Sequence, residues 1–160
     1  MFKVLFCTFV RPHLEYAQAV WAPHLKKNIN VIENVQRRAT KLVDGLWNIP
    51  YPDRLERLCL PTLAFWRKVN DMVELYKNFH IYDRSSLSKA FQPQTRPSRK
   101  HNFQLVPRIP RDGVRGVQTN SFYFRTVQPW NQLSEEIVNA TTVNSFKELL
   151  IRTWVERRYQ

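Results

Sequence analysis

Glycine is almost missing from this chain, with three residues in 160. Tight hairpins and phosphate-cradling loops need backbone conformations that glycine supplies, so its scarcity argues against a turn-rich all-β fold and against a glycine-rich phosphate loop. Cysteine is scarcer still. Cys7 and Cys59 share no short spacing, and His13, His24, His80 and His101 show no paired spacing, so neither a disulfide framework nor a structural zinc site is expected. Both thiols lie in apolar surroundings and read as small buried hydrophobes in a reducing compartment. Adjacent aspartates are also lacking: Asp44, Asp53, Asp71, Asp83 and Asp112 are isolated, whereas two-metal polymerase or nuclease chemistry needs converging carboxylates. Glu135-Glu136 is a neighbouring pair, but helical neighbours point in different directions, and a solvated first turn explains it. Distant cysteine and histidine partners can still meet in a fold, and the sequence leaves that arrangement open. The expectation is a chain with no catalytic residues, no metal and no cofactor.

Long apolar runs are missing too. None approaches the length of a membrane-spanning helix, so no membrane partner is expected. The run Val4–Val10 after Lys3 imitates a secretory leader, but it is short, and Arg11, His13 and Glu15 separate it from the cleavage-like Ala17-Gln18-Ala19. An intracellular setting, cytoplasm or nucleus, is expected.

What the chain has is aromatics and positive charge. Five Trp, six Tyr and ten Phe within a 43% hydrophobic composition are ample for a core and argue against global disorder. The length suits one compact domain or two small ones. Twenty-five Lys/Arg against 13 Asp/Glu leave a net charge of +12, which favours polyanionic partners through long-range attraction and counterion release. Half of that surplus sits in residues 91–125, where seven basic residues face one acid.

Apolar periodicity predicts a mainly α fold. Leu5, Phe6, Phe9, Tyr16 and Val20 mark a first helix that kinks or restarts near Arg11 because of Pro12. Over 29–43, Ile32, Val35, Ala39, Leu42 and Val43 form a stripe, with Glu33, Arg37, Arg38 and Lys41 facing away, Asn30 as cap and Gly45 as stop. Pro52 opens a short helix through Leu58. Thr62 caps the next, whose stripe is Leu63, Trp66, Val69, Val73, Tyr76 and Phe79. From 81 to 118 prolines and basic residues replace the pattern, with room for one short strand over Phe103–Pro107. Helical order returns near Asn120 with Phe124 and Val127. Ser134 can cap a further turn, and Thr142 a last helix with Val143, Phe146, Leu150 and Trp154. The expected organisation is a small helical bundle over 1–80, a basic proline-containing loop or linker over 81–118, and a short helical C-terminal subdomain over 119–160.

The block Phe9-Val10-Arg11-Pro12-His13-Leu14-Glu15-Tyr16-Ala17, then Val20-Trp21-Ala22-Pro23-His24-Leu25, resembles the segment downstream of the palm in non-LTR (LINE-type) retrotransposon reverse transcriptases of the jockey and chicken-repeat kind. Ile32–Thr40, Leu60-Pro61-Thr62-Leu63, Asp71-Met72 and Tyr76-Lys77 continue the match in order. Asn120-Ser121-Phe122, Arg125, Trp130-Asn131-Gln132-Leu133 and Phe146-Lys147 complete it over nearly the whole chain. Two departures stand out: Pro129 is expected to interrupt a helix that is continuous in the family, and Ser134 replaces a common proline. The resemblance implies a thumb-like helical region and a C-terminal extension, without the catalytic aspartates, which lie in the palm. It also implies that a thumb grips the template–primer duplex and that the palm is a protein partner.

A duplex grip needs cations that fix register on phosphates without reading sequence. Arg37, Arg38 and Lys41 suit that role, and equally a solvated helix face. Arg96, Arg99, Lys100, Arg108, Arg111 and Arg115 would add phosphate contacts from the loop, so RNA or DNA is the expected partner. Trp130 could stack on a base, but a place in the core is favoured. The other readings are a helical remnant that works through protein contacts on an exposed apolar patch, and a reading frame with no function.

Overall fold

The computed structural model describes residues 1–81, 91–93, 101, 103–107 and 120–155, with backbone alone for 91–93 and 107. The described residues are mainly helical, as the periodicity predicts, with one short antiparallel ladder. They divide into two compact units: Met1–Lys68 with the C-terminal residues from Trp154 on, and Val69–Thr153.

In the first unit, α1 (Phe2–Leu5), a π turn (Phe6–Val10) and α2 (Arg11–Glu15) follow one another directly. Pro12 has no N–H to offer the carbonyl of Thr8. Just before it the bonding widens, and the Arg11 N–H reaches back to the Phe6 carbonyl, so the helix does restart at Arg11. The expected core face does not form. Of Leu5, Phe6, Phe9, Tyr16 and Val20, only Phe6 is buried. A π turn takes in more residues than an α turn, so a 3.6-residue wheel drawn across it loses phase. A second break, unseen in the sequence, comes at Ala17, whose φ of +50° is left-handed; α3 (Gln18–Trp21) starts after it. The buried Gln18 amide donates to the Arg67 carbonyl at 3.0 Å, and Arg11, paired with Glu15 at 2.6 Å, lies 4.0 Å from the Trp66 ring centre.

α4 (Lys26–Lys41) begins before the Asn30 cap that the sequence suggests, with Leu25 as its N-cap. α5 (Tyr51–Leu58) carries Pro52 in its first turn and ends at Cys59, which is left-handed at φ +49°. Cys59 is exposed at this helix end and Cys7 is half-buried on the π turn, which corrects the expectation of two buried thiols. α6 (Leu63–His80) starts as predicted, with the Thr62 hydroxyl accepting the Phe65 N–H at 3.1 Å. Leu63, Val69 and Tyr76 of its predicted stripe are buried, while Trp66, Val73 and Phe79 are only half so; Phe65, Met72 and Leu75 are buried in addition.

The second unit contains the later residues of α6, β1 (Phe91–Pro93), β2 (Leu105–Pro107), α7 (Phe122–Asn131), α8 (Glu135–Val138) and α9 (Val143–Thr153). The expected strand forms over its last three residues, with Leu105 opposite Pro93 and Pro107 opposite Phe91. Contrary to expectation, α7 runs through Pro129, which sits in its last turn and forgoes only the bond to the Arg125 carbonyl. The helix face also differs: Thr126 and Trp130 are buried, Phe124 and Val127 only partly. Ser134 precedes α8 without a side-chain cap bond, whereas the Thr142 hydroxyl caps α9 by accepting the Ser145 N–H at 3.1 Å. Phe146 and Leu150 are buried, as the α9 stripe predicts.

Trp130 is fully buried at the centre of this unit. Its ring lies 5.0 Å from that of Phe79 at 11°, and its indole N–H donates to the Phe103 carbonyl at 2.8 Å. Asn131 holds both backbone groups of Leu105: its carbonyl accepts the N–H at 2.9 Å and its amide donates to the C=O at 2.8 Å. Arg125 and Asp71, both within the resemblance blocks, meet in a two-pronged ion pair.

Candidate nucleic-acid interface

α4 is a helix with three faces. At 3.6 residues per turn, Ile29, Ile32, Glu33, Gln36, Ala39 and Thr40 share one side, which is the buried or half-buried one. Lys26, Lys27, Arg37, Arg38 and Lys41 fill a sector of about 120° beside it, and all five are exposed. Val31, Val35 and Leu42 form a strip beyond the cations and are also exposed. The inward face is therefore rotated from the predicted stripe: Val35 and Leu42 stand outside, and Glu33 is inside with 5% exposure.

The cause of that rotation is the start of α6. The first amides of a helix lack intrahelical acceptors, and a carboxylate there satisfies them while meeting the positive end of the helix dipole. Glu33 does this from another helix. Its Oε1 accepts the Leu63 N–H at 3.2 Å and its Oε2 the Ala64 N–H at 3.3 Å. The Tyr51 hydroxyl donates to the same carboxylate at 2.5 Å. Gln36 completes the network by donating to the Pro61 carbonyl at 3.0 Å and to the Tyr51 oxygen at 3.1 Å. Thr40 satisfies its hydroxyl on the Gln36 carbonyl at 2.9 Å. Buried polar groups paired this completely fix one helix register.

Burial, followed by the hydrogen bond to Glu33 and its negative charge, pushes the Tyr51 phenol well above its ordinary range. A folded-state value above the unfolded one means that the fold favours the neutral phenol. This stability is complete below about pH 10, the unfolded value, and is lost as the pH rises beyond it. Urea unfolding of the Met1–Lys68 unit should therefore show midpoints that fall steeply above about pH 10. Tyr51→Phe should flatten that fall. An unchanged pH slope in the variant would show that Tyr51 is not held in this network.

The structure brings Arg37, Arg38 and Lys41 together on one exposed face. Arg37 lies 4.4 Å from the Tyr51 ring centre, and the Lys41 ammonium 5.4 Å from that of Trp47. Arg38 has no ion-pair partner among the described residues. Lys26 and Lys27 join this face and were missed because the predicted helix began after them; their adjacency to Ile29 and Ile32 on a helical period was the available signal. Arg96, Arg99, Lys100, Arg108, Arg111 and Arg115 lie outside the described residues. Trp130, wholly buried, cannot present its ring to a base.

Glu135 and Glu136 are exposed in the first turn of α8. Among the described residues no three His, Cys, Asp or Glu side chains gather in a metal-binding group, and no helix is long and apolar enough to cross a membrane. No family model matches the sequence, and neither a curated protein nor a solved structure does.

Proposed function

We propose that the chain is a non-catalytic, thumb-like piece of a non-LTR retrotransposon reverse transcriptase that holds intracellular nucleic acid by its phosphates through the cationic face of α4. One observation carries the reading: α4 has five basic residues and one acid, and the acid, Glu33, is turned inward onto α6. The exposed charge of the helix is therefore of one sign. Backbone phosphates are the ligand that a row of uncompensated cations attracts most, with release of counterions and without sequence readout.

The test is fluorescence anisotropy of a labelled RNA–DNA hybrid across a salt series. With about six phosphates engaged, log affinity should fall against log salt with a slope near −5. Arg37→Gln, Arg38→Gln and Lys41→Gln together should make that slope shallower by about 3. Gln at Arg96, Arg99, Lys100, Arg108, Arg111 and Arg115 measures the loop's share separately. No binding at low salt would overturn the proposal.

A second reading, a helical piece that works through protein contacts, has its own support. Most of the large apolar side chains left exposed among the described residues fall within residues 1–47, including Phe9, Tyr16, Val20 and Leu25. Apolar surface of this kind marks association sites. Self-association that salt does not weaken, in place of salt-sensitive nucleic-acid binding, would favour it.

A further inference from the structure

Resting on that reading of α4, we infer that its surface takes an unpaired strand of nucleic acid, with Trp47 as the ring on which a base stacks. Trp47 follows α4 by six positions and is 68% exposed. Tryptophan is on average highly buried, so a side chain this open needs a reason. The Lys41 ammonium stands 5.4 Å from its ring centre, which places the ring at the C-terminal end of the cationic sector. Leu42, 82% exposed, adds apolar surface beside Lys41 in the sequence.

Two rings of this unit are each approached by an α4 cation: Tyr51 by Arg37 and Trp47 by Lys41. Tyr51 is tied into the fold through its hydroxyl on Glu33 and Gln36. Trp47 is turned to solvent. One pair serves the network under α4, and the other is free to meet a ligand.

Charge alone does not distinguish a duplex from a single strand, because both present phosphates. An exposed ring does. In a duplex each base face is covered by its neighbours and must be unstacked before a side chain can reach it. An unpaired base offers its face directly, and base–aromatic stacking beside a cationic groove is how non-specific single-strand binders gain affinity. Every base has such a face, so no base preference is expected. Cations on α4 hold the phosphates, and Trp47 selects strands whose bases are open.

The experiment uses the whole chain and four labelled probes: oligo-dT, oligo-rU, an abasic deoxyribose-phosphate strand of equal length, and a duplex. Trp47→Ala should weaken binding of the oligo-dT and oligo-rU strands by roughly tenfold and leave the abasic strand and the duplex within about twofold. Trp47→Tyr, which keeps a ring, should restore most of the loss. The tighter of oligo-dT and oligo-rU identifies the strand. Unchanged single-strand affinity in Trp47→Ala, with binding still lost in the Arg37, Arg38 and Lys41 variant, overturns the inference and leaves the phosphate grip intact. An equal loss on all four probes also overturns it, since Trp47 would then act only by positioning Lys41. If the wild-type chain binds none of the probes at low salt, the phosphate grip itself fails, and this inference fails with it.

Discussion

Trp130→Ala should cost the Val69–Thr153 unit about 4 kcal/mol, within the range for emptying a fully buried indole site. The residue has no exposed surface. Its ring stacks on Phe79 at 5.0 Å, its N–H is bonded to the Phe103 carbonyl at 2.8 Å, and His101 Nε2 sits 3.2 Å from its own carbonyl. Removing it opens a cavity beneath α7 and strands an acceptor in one step. Natural domains are stable by only about 5–15 kcal/mol, so most of the reserve of this unit would be gone. Trp130→Phe keeps a six-membered ring in the site and gives up the pyrrole half with its N–H, for a smaller loss of about 1–3 kcal/mol. Urea midpoints followed by near-ultraviolet circular dichroism give both numbers. A Trp130→Ala protein that melts like the wild type would mean that the indole is not core, and base stacking by Trp130 would return as a reading.

The second large effect belongs to the Arg125–Asp71 pair. Nε meets Oδ2 at 2.8 Å and Nη2 meets Oδ1 at 2.9 Å, with the side chains 20% and 9% exposed. Two parallel charge-assisted bonds in a site this closed hold α7 to α6 at a fixed register. Asp71→Asn leaves a guanidinium that has lost its counter-charge, at a cost of about 3 kcal/mol. The Arg125 guanidinium is partly wetted and also bonds the Asn120 carbonyl at 3.3 Å, which keeps the loss below the upper end of that range. The double variant Asp71→Leu with Arg125→Met should recover much of it, because the cost lies in orphaning one charge rather than in lacking both. Thermal unfolding of Asp71→Leu, of Arg125→Met and of the double closes the cycle. Additive losses would show that the two side chains do not depend on each other.

The parts of this fold that can be read from the sequence are those whose cause is local. Thr62 and Thr142 each bond an amide three residues on, and the stripes behind them bury Leu63, Val69, Tyr76, Phe146 and Leu150 as their spacing requires. The inward face of α4 could not be read in this way. Its orientation depends on a carboxylate meeting amides 30 and 31 residues further along, and no window on α4 contains that information. A rule that places apolar residues inside turned Val35 and Leu42 toward the core and Glu33 away from it. The same displacement made the candidate site more cationic than its composition suggests. A cap at Asn30 leaves Lys26 and Lys27 off the helix, whereas it starts at Lys26. Trp47 lies past the end of the helix, where periodicity says nothing, and only its distance to Lys41 connects it to the site.

The short ladder in the second unit has a consequence for how the protein behaves when crowded. A pair of strands has two outer edges, and each is an invitation for another chain to add a strand, the first step of aggregation. Along an antiparallel strand, alternate residues aim their backbone groups at the same side. On β2 the outward positions are Leu105 and Pro107, opposite Pro93 and Phe91. Leu105 has both groups occupied by Asn131, and Pro107 has no N–H to give. β2 therefore offers an incoming chain no free donor along that edge. At β1, Pro93 likewise has no N–H to give. Among the described residues, one asparagine and two prolines thus withhold three of the four outward donors of this ladder, leaving that of Phe91.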